Sequence, residues 1–142
     1  MIQLFLDLFL GALPKGRIKI LKNLQKKCVK NVAGTHPYAS HERFEKLGFF
    51  DFDELFHFTC TKFMSKCRLR LLPESIGNLF QQLSFPNRTC GFVTKQSKSK
   101  AMEMFPSHFL PRIWNSNSLM IKTSATIGQF NRSYRMGRSS RC

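Results

Sequence analysis

Between residues 15 and 33 the apolar positions recur with helical spacing. At 100° per residue, Ile18, Leu21, Leu24, Cys28 and Val32 fall on one side. Lys15, Lys19, Lys22, Lys26 and Lys30 fall within a narrow opposite arc, with Arg17 and Lys27 at its flanks. The pattern predicts an amphipathic helix over 15–33, stopped by Gly34. His36-Pro37-Tyr38 then reads as a turn, and Ser40 as the cap of a short helix to Leu47, broken at Gly48. From Asp51 a longer stripe follows: Phe52, Leu55, Phe56, Cys60, Phe63, Met64 and Cys67. This is the strongest core element in the chain, and an aromatic stripe at such spacing is packing before it is a stacking platform. Pro73, with Glu74 behind it, opens a short helix carrying Ile76, Leu79, Phe80 and Leu83.

Beyond Ser84 the periodicity dissolves. SFPNRTCGFVTKQSKSK (84–100) is polar, basic and aperiodic, which reads as a flexible linker. Phe105, Phe109, Leu110 and the only tryptophan, Trp114, form the next apolar block, with Trp114 as a packing anchor or a platform for a base. A last helix from about Thr126 carries Ile127, Phe130 and Tyr134 on one side, weakened by Gly128. Arg132, Arg135, Arg138 and Arg141 recur every third residue, among Gly137 and Ser139-Ser140, as a frayed basic arm. The expected fold is all-α: a small, loose bundle of about four or five short helices. Its divisions are a helical core over 1–83, a basic linker over 84–104, and a Trp-containing block with basic arm over 105–142. The expected core is Leu21, Leu24, Cys28, Val32, Phe44, Leu47, Phe52, Leu55, Phe56, Phe63, Met64, Leu72, Leu79, Phe80 and Trp114.

Charge changes the picture. The 142 residues carry 23 Lys and Arg against eight acids, a formal net charge of +15. That balance favours a polyanionic partner, most simply the phosphate backbone of RNA or DNA; a membrane surface ranks second. No acid lies in 15–31, so the lysine stripe is all of one sign. Like charges at i, i+4 repel, and such a stripe points to a compensating polyanion rather than a merely solvated face. The nucleic-acid-binding candidates are therefore Lys15, Lys19, Lys22, Lys26 and Lys30, with Arg132, Arg135, Arg138 and Arg141 as auxiliaries.

Candidate chemistry is sparse. The five cysteines are odd in number, and Cys60-x6-Cys67 is too wide for a zinc knuckle. They read as reduced thiols, small apolar filler, with no metal site even counting His57. The acids contain no Asp-Asp pair, and Asp51-Phe52-Asp53 is the nearest thing to a metal-binding dyad. Asp51-x-x-Glu54 before an apolar stripe reads instead as a capping box. No Gly-rich phosphate loop or nucleophile constellation is present, so no enzymatic activity, cofactor or small-molecule substrate is expected. MIQLFLDLFLGALP (1–14) lacks a basic leader, is interrupted by Asp7 and is too short to span a bilayer. The expectation is thus an intracellular protein, nuclear or cytoplasmic.

Three blocks carry a resemblance: LKNLQKKCVK (21–30), TKFMSKCRLRLLPESIGNLF (61–80) and SHFLPRIWNSN (107–117). In that order they resemble the region after the polymerase domain in reverse transcriptases of non-LTR retrotransposons, the jockey-like LINE group. There a basic helix precedes a K-F-M-x-K helix end, then L-L-P-E-S-x-x-N-L-F and F-F-P-R-x-x-N-S-L-P. The resemblance spans roughly residues 8–135. Gly11 sits where relatives have Trp-Gly, with Phe9-Leu10 in place of the aromatic step. Asn87-Arg88-Thr89 echoes an N-x-R-T/S stretch without its spacer. Ser118-Leu119-Met120 lacks the family's final proline. The resemblance implies the C-terminal fragment of an RNA-directed DNA polymerase, non-catalytic because the palm carboxylates that hold two divalent ions are missing. It also implies a further partner, the polymerase domain itself. The alternatives are an independent small basic nucleic-acid-binding protein, or a membrane-surface or protein-interaction fragment using residues 1–14.

Overall fold

The computed structural model describes residues 15–33, 44–45, 47–83 and 90–139. Among them are seven helices: α1 (Lys15–Ala33), α2 (Phe52–Arg68), α3 (Glu74–Gly77), α4 (Lys100–Glu103), α5 (Pro106–Asn115), α6 (Leu119–Lys122) and α7 (Ile127–Ser139). The fold is all-α; the described residues hold no strand, only an isolated antiparallel bridge between Gln82 and Phe92. Four of the helices, α1, α2, α5 and α7, have ten residues or more, and the other three are single turns. The chain divides into two compact units, Met1–His57 and Phe58–Cys142. The division falls within α2.

In the first unit α1 spans the residues the periodicity predicts, but it presents a different face. Val29 is its buried residue, with Ile18, Leu21, Lys22 and Gln25 partly buried. Leu24 and Val32 are 51% and 70% exposed, and Cys28 is exposed, so these three expected core residues are surface residues here. The inward arc is turned by roughly 55° from the apolar one, at 100° per residue. Two polar contacts hold it there. Gln25 Nε2 donates to the Phe50 carbonyl at 3.0 Å, and Lys22 Nζ to Asp53 Oδ2 at 2.5 Å. The turn before α2 closes on Gly48 (φ 67°), whose N–H donates to the Glu45 carbonyl while Phe49 N–H reaches Phe44. This is the left-handed helix ending that glycine favours. Phe44 beside it is buried, as expected; Gly34 and Ser40 lie outside the described residues.

The capping box at the start of α2 forms as the sequence predicts. Asp51 Oδ1 accepts from Glu54 N–H at 2.8 Å, and Glu54 Oε2 accepts from Asp51 N–H at 3.2 Å. Burial along α2 is uneven. Phe52, Leu55 and Phe56 keep partial or greater exposure, whereas Thr59, Cys60, Thr61, Phe63, Met64, Ser65 and Cys67 are buried. The stripe is therefore core only from its middle onward. Thr61 and Ser65 are buried although polar: Thr61 Oγ1 accepts from Asn117 Nδ2 at 3.3 Å. One turn on, the Arg68 guanidinium donates to the Ser124 carbonyl.

The second unit is built on two aromatic groups. Phe63, Phe80, Phe92 and Trp114 form a chain of edge-to-face contacts, with centroids 5.9, 6.5 and 6.0 Å apart in turn. Phe58, Phe130 and Tyr134 form the other, which seats α7. Phe92 is the surprise, because it lies in the stretch read as linker. Its backbone is held from both sides. Leu83 N–H donates to Gly91 and Val93 N–H to Gln81. On the other flank, Asn115 Oδ1 accepts from Phe92 N–H at 3.0 Å and Asn115 Nδ2 donates to Phe92 O at 2.8 Å. Trp114 Nε1 donates to Cys90 O at 2.6 Å, and His108 Nδ1 lies 3.3 Å from Lys95 O. Residues 90–95 are thus pinned, not a flexible linker, and beyond them Ser99 caps α4 through Met102 N–H. Residues 84–89 lie outside the described set. Pairing with 91–93 also explains why the helix expected to reach Leu83 stops at Gly77.

Lys122, itself buried, donates through Nζ to the carbonyl of Asn115, the last residue of α5, at 2.6 Å. At α7, Thr126 Oγ1 accepts from Gln129 N–H, and Gln129 Oε1 accepts from Ala125 N–H. This cap and the burial of Phe130 and Tyr134 offset Gly128 and Gly137, so the helix runs on to Ser139 instead of fraying into an arm.

Two substitutions test this core, read by urea unfolding through Trp114 fluorescence. Phe63→Ala empties the head of the aromatic chain and is expected to cost about 3–5 kcal/mol. Asn115→Ala leaves a buried peptide unit unpaired at Phe92, and is expected to cost about 2 kcal/mol. A loss below about 0.5 kcal/mol for Asn115→Ala would show that the amide does not hold the segment.

Candidate nucleic-acid interface

The interface candidates divide between the two units. Lys15 stands at the first position of α1. Lys19, Lys26 and Lys30 are exposed along one side of that helix, and none forms an ion pair among the described residues. Lys22 departs from the expectation. Its side chain is 36% exposed and paired with Asp53, so a phosphate there would have to displace that ion pair. It lines a small hollow of about 190 Å³ with Gln25, Lys26, Phe44, Asp51 and Phe52. On the second unit, Arg132 and Arg135 are exposed and Arg138 is half-buried, all within α7 rather than on an arm. Arg141 lies outside the described residues.

Charge is unequal between the units. Residues 1–57 carry nine Lys and Arg against six acids, a net of +3. Residues 58–142 carry fourteen against two, Glu74 and Glu103, a net of +12. The cations of the second unit are spread over several elements, which is why helical periodicity singled out only those of α7. Lys62 lies 5.6 Å from the Phe58 ring centroid, a cation–π contact. Arg70 and Arg112 are exposed. Arg68 and Lys122 are partly or wholly buried and hold backbone carbonyls, so they are structural.

The carboxylates that could have formed a metal dyad are engaged otherwise: Asp51 and Glu54 in the capping box, Asp53 with Lys22. Among the described residues no three of His, Cys, Asp and Glu cluster closely enough to hold a metal ion. Cys60 and Cys67 are buried and Cys28 and Cys90 exposed. Burial pushes the Cys60 thiol up to about 12 and raises that of Cys67 as well. A thiol ionises near about 8.5 in an unfolded chain. The stability that neutral Cys60 contributes is therefore present below that pH and lost as pH rises toward about 12. No helix among the described residues is long and apolar enough to cross a membrane.

No protein-family model matches the sequence, and no curated protein or solved structure matches it either. What the fold and surface define is a small, strongly basic all-α protein whose charge is concentrated in residues 58–142.

Thiol reactivity checks this layout. Iodoacetamide at about pH 8 is expected to label Cys28 and Cys90 in the native chain and to reach Cys60 and Cys67 only in urea. Peptide mapping that found Cys60 labelled without denaturant would mean that α2 is not buried along its second half.

Proposed function

We propose that this chain is a non-catalytic, retrotransposon-derived fragment, the part of a non-LTR reverse transcriptase that follows the polymerase domain, and that it binds RNA or DNA through phosphate. The observation that carries the binding reading is the row Lys19, Lys26 and Lys30, exposed on α1 without an acidic partner among the described residues. The net +12 of residues 58–142 supports it. The ordered blocks in 21–30, 61–80 and 107–117 support the retrotransposon origin. The engagement of Asp51, Asp53 and Glu54 in structural contacts supports a role without phosphoryl-transfer chemistry. The polymerase domain is a second partner under this reading.

Phosphate contacts release counterions and are indifferent to sequence. Binding of a labelled single strand should therefore weaken steeply between about 50 and 200 mM salt. Replacing Lys19, Lys26 and Lys30 together by Gln should weaken every strand alike. It should also flatten the logarithmic salt slope by about 2, at roughly 0.7 per lost contact. Lys22→Gln is the control: it removes an ion pair worth at most about 1 kcal/mol and should leave the slope unchanged. An unchanged slope in the triple variant, with helicity intact by circular dichroism, would make the row a solvated face.

A further inference from the structure

The block LLPESIGNLF (71–80) takes no part in the phosphate-binding row, yet it shapes a cleft in the second unit. It begins at the end of α2. Leu71 N–H donates to the Lys66 carbonyl and Arg70 N–H to that of Cys67, the double closure of a left-handed helix ending. The residue in the left-handed position is Arg70, with φ 55°. Glycine commonly stands there, and a side chain costs about 1–2 kcal/mol. Pro73 and α3 then turn the chain, and Leu79 and Phe80 close on Ile76 and Gly77 before Gln82 pairs with Phe92.

Between these elements lies a cleft of about 670 Å³, within the roughly 300–1,000 Å³ of ligand sites. Arg70, Leu72, Glu74, Asn78, Phe80 and Gln82 line it. Leu72 is half-buried and Phe80 buried, so part of the wall is apolar. Besides Cys67 and Gly77, the remaining lining residues offer one guanidinium, one carboxylate and two amides. Neither Arg70 nor Glu74 forms an ion pair among the described residues, and the Asn78 amide forms no hydrogen bond there. Gln82 spends only its Nε2, on the Arg68 carbonyl at a long 3.5 Å, leaving Oε1 open.

We infer that this cleft holds one nucleotide of a single strand: its base against the apolar wall, its edge hydrogen-bonded by Asn78 and Gln82, its phosphate on Arg70. The inference rests on the nucleic-acid-binding reading above. Amides offer a donor and an acceptor side by side, the complement of a base edge. In single strands those edges are free to be read. A guanidinium offers a fork of donors that matches phosphate. Glu74 accepts from an exocyclic amine and repels a second phosphate, so the cleft takes a base-bearing nucleotide in preference to bare backbone. Arginine at a left-handed position sets a charged fork in the lining of the cleft at a cost in stability, and backbone strain of that kind clusters at ligand sites.

The test uses the full chain and two labelled single strands of about 12 nucleotides, one of mixed bases and one abasic. Anisotropy titrations at fixed low salt should show the base-bearing strand bound about tenfold more tightly, the order of one good bidentate contact. The double variant Asn78→Ala/Gln82→Ala should abolish that preference while leaving abasic affinity unchanged. Arg70→Gly should weaken both strands while raising the melting temperature, because glycine relieves the left-handed position; a misfolded protein could not give that pair of results. The Lys19/Lys26/Lys30→Gln variant should weaken both strands and keep the preference. Equal affinity of the wild-type chain for both strands overturns the cleft and spares the phosphate reading. Failure to bind either strand overturns the phosphate reading and the cleft together.

Discussion

The second unit depends on one side-chain amide. Asn115, at the end of α5, lies against Phe92 and completes both backbone hydrogen bonds of that residue, as a neighbouring strand would. Without that clasp, a buried N–H and C=O would stand unpaired at a residue only 1% exposed. With it, a short polar stretch can pass through the core and carry Phe92 between Phe80 and Trp114. The other contacts along this stretch, from Trp114 Nε1 to Cys90 and from the 81–83 backbone to 91–93, extend the same solution. Lys122 then satisfies the carbonyl that Asn115 itself leaves at the helix end.

This arrangement also accounts for how a chain so basic keeps a packed unit with so few acids. Residues 58–142 have two carboxylates to set against fourteen cations, so ion pairing cannot organise them. Arg68 and Lys122 are instead absorbed by backbone carbonyls, and Lys62 lies over an aromatic ring. These contacts place cations without consuming anions. Other cations of this unit, Arg70, Arg112, Arg132 and Arg135 among them, are exposed, where self-repulsion weighs on folding until a polyanion neutralises it. Stability and the proposed partner are therefore coupled through the same charges.

The first unit uses its acids differently. Five of the chain's eight acids stand between residues 42 and 54. Asp51 and Glu54 start α2 by capping it, and Asp53 takes Lys22 out of the basic row. That pair, with the Gln25 contact to Phe50, turns α1 away from the face its apolar residues define. Leu24, Cys28 and Val32 are left on the surface as a consequence.

Local signals were enough for the helical class, for the span of α1, for the capping box of α2, for the start of α7 and for Trp114 as a packing residue. Each depends on residues within a few positions of one another, where spacing and capping chemistry act directly. The other features needed the tertiary structure. Pro111 sits inside α5, where a proline costs about 3 kcal/mol, and only its burial beside Leu110 and Trp114 makes a helix there worthwhile. Phe92 carries no periodicity and is core only because Asn115, 23 residues later, satisfies its backbone. Lys22 shares the lysine arc with Lys26 on a helical wheel, and Asp53, 31 residues away, pairs with it alone. The sequence by itself determined which segments could be helical, because helix formation is local; which face of each turns inward, and which polar stretch crosses the core, was decided by partners that only the folded chain brings into reach.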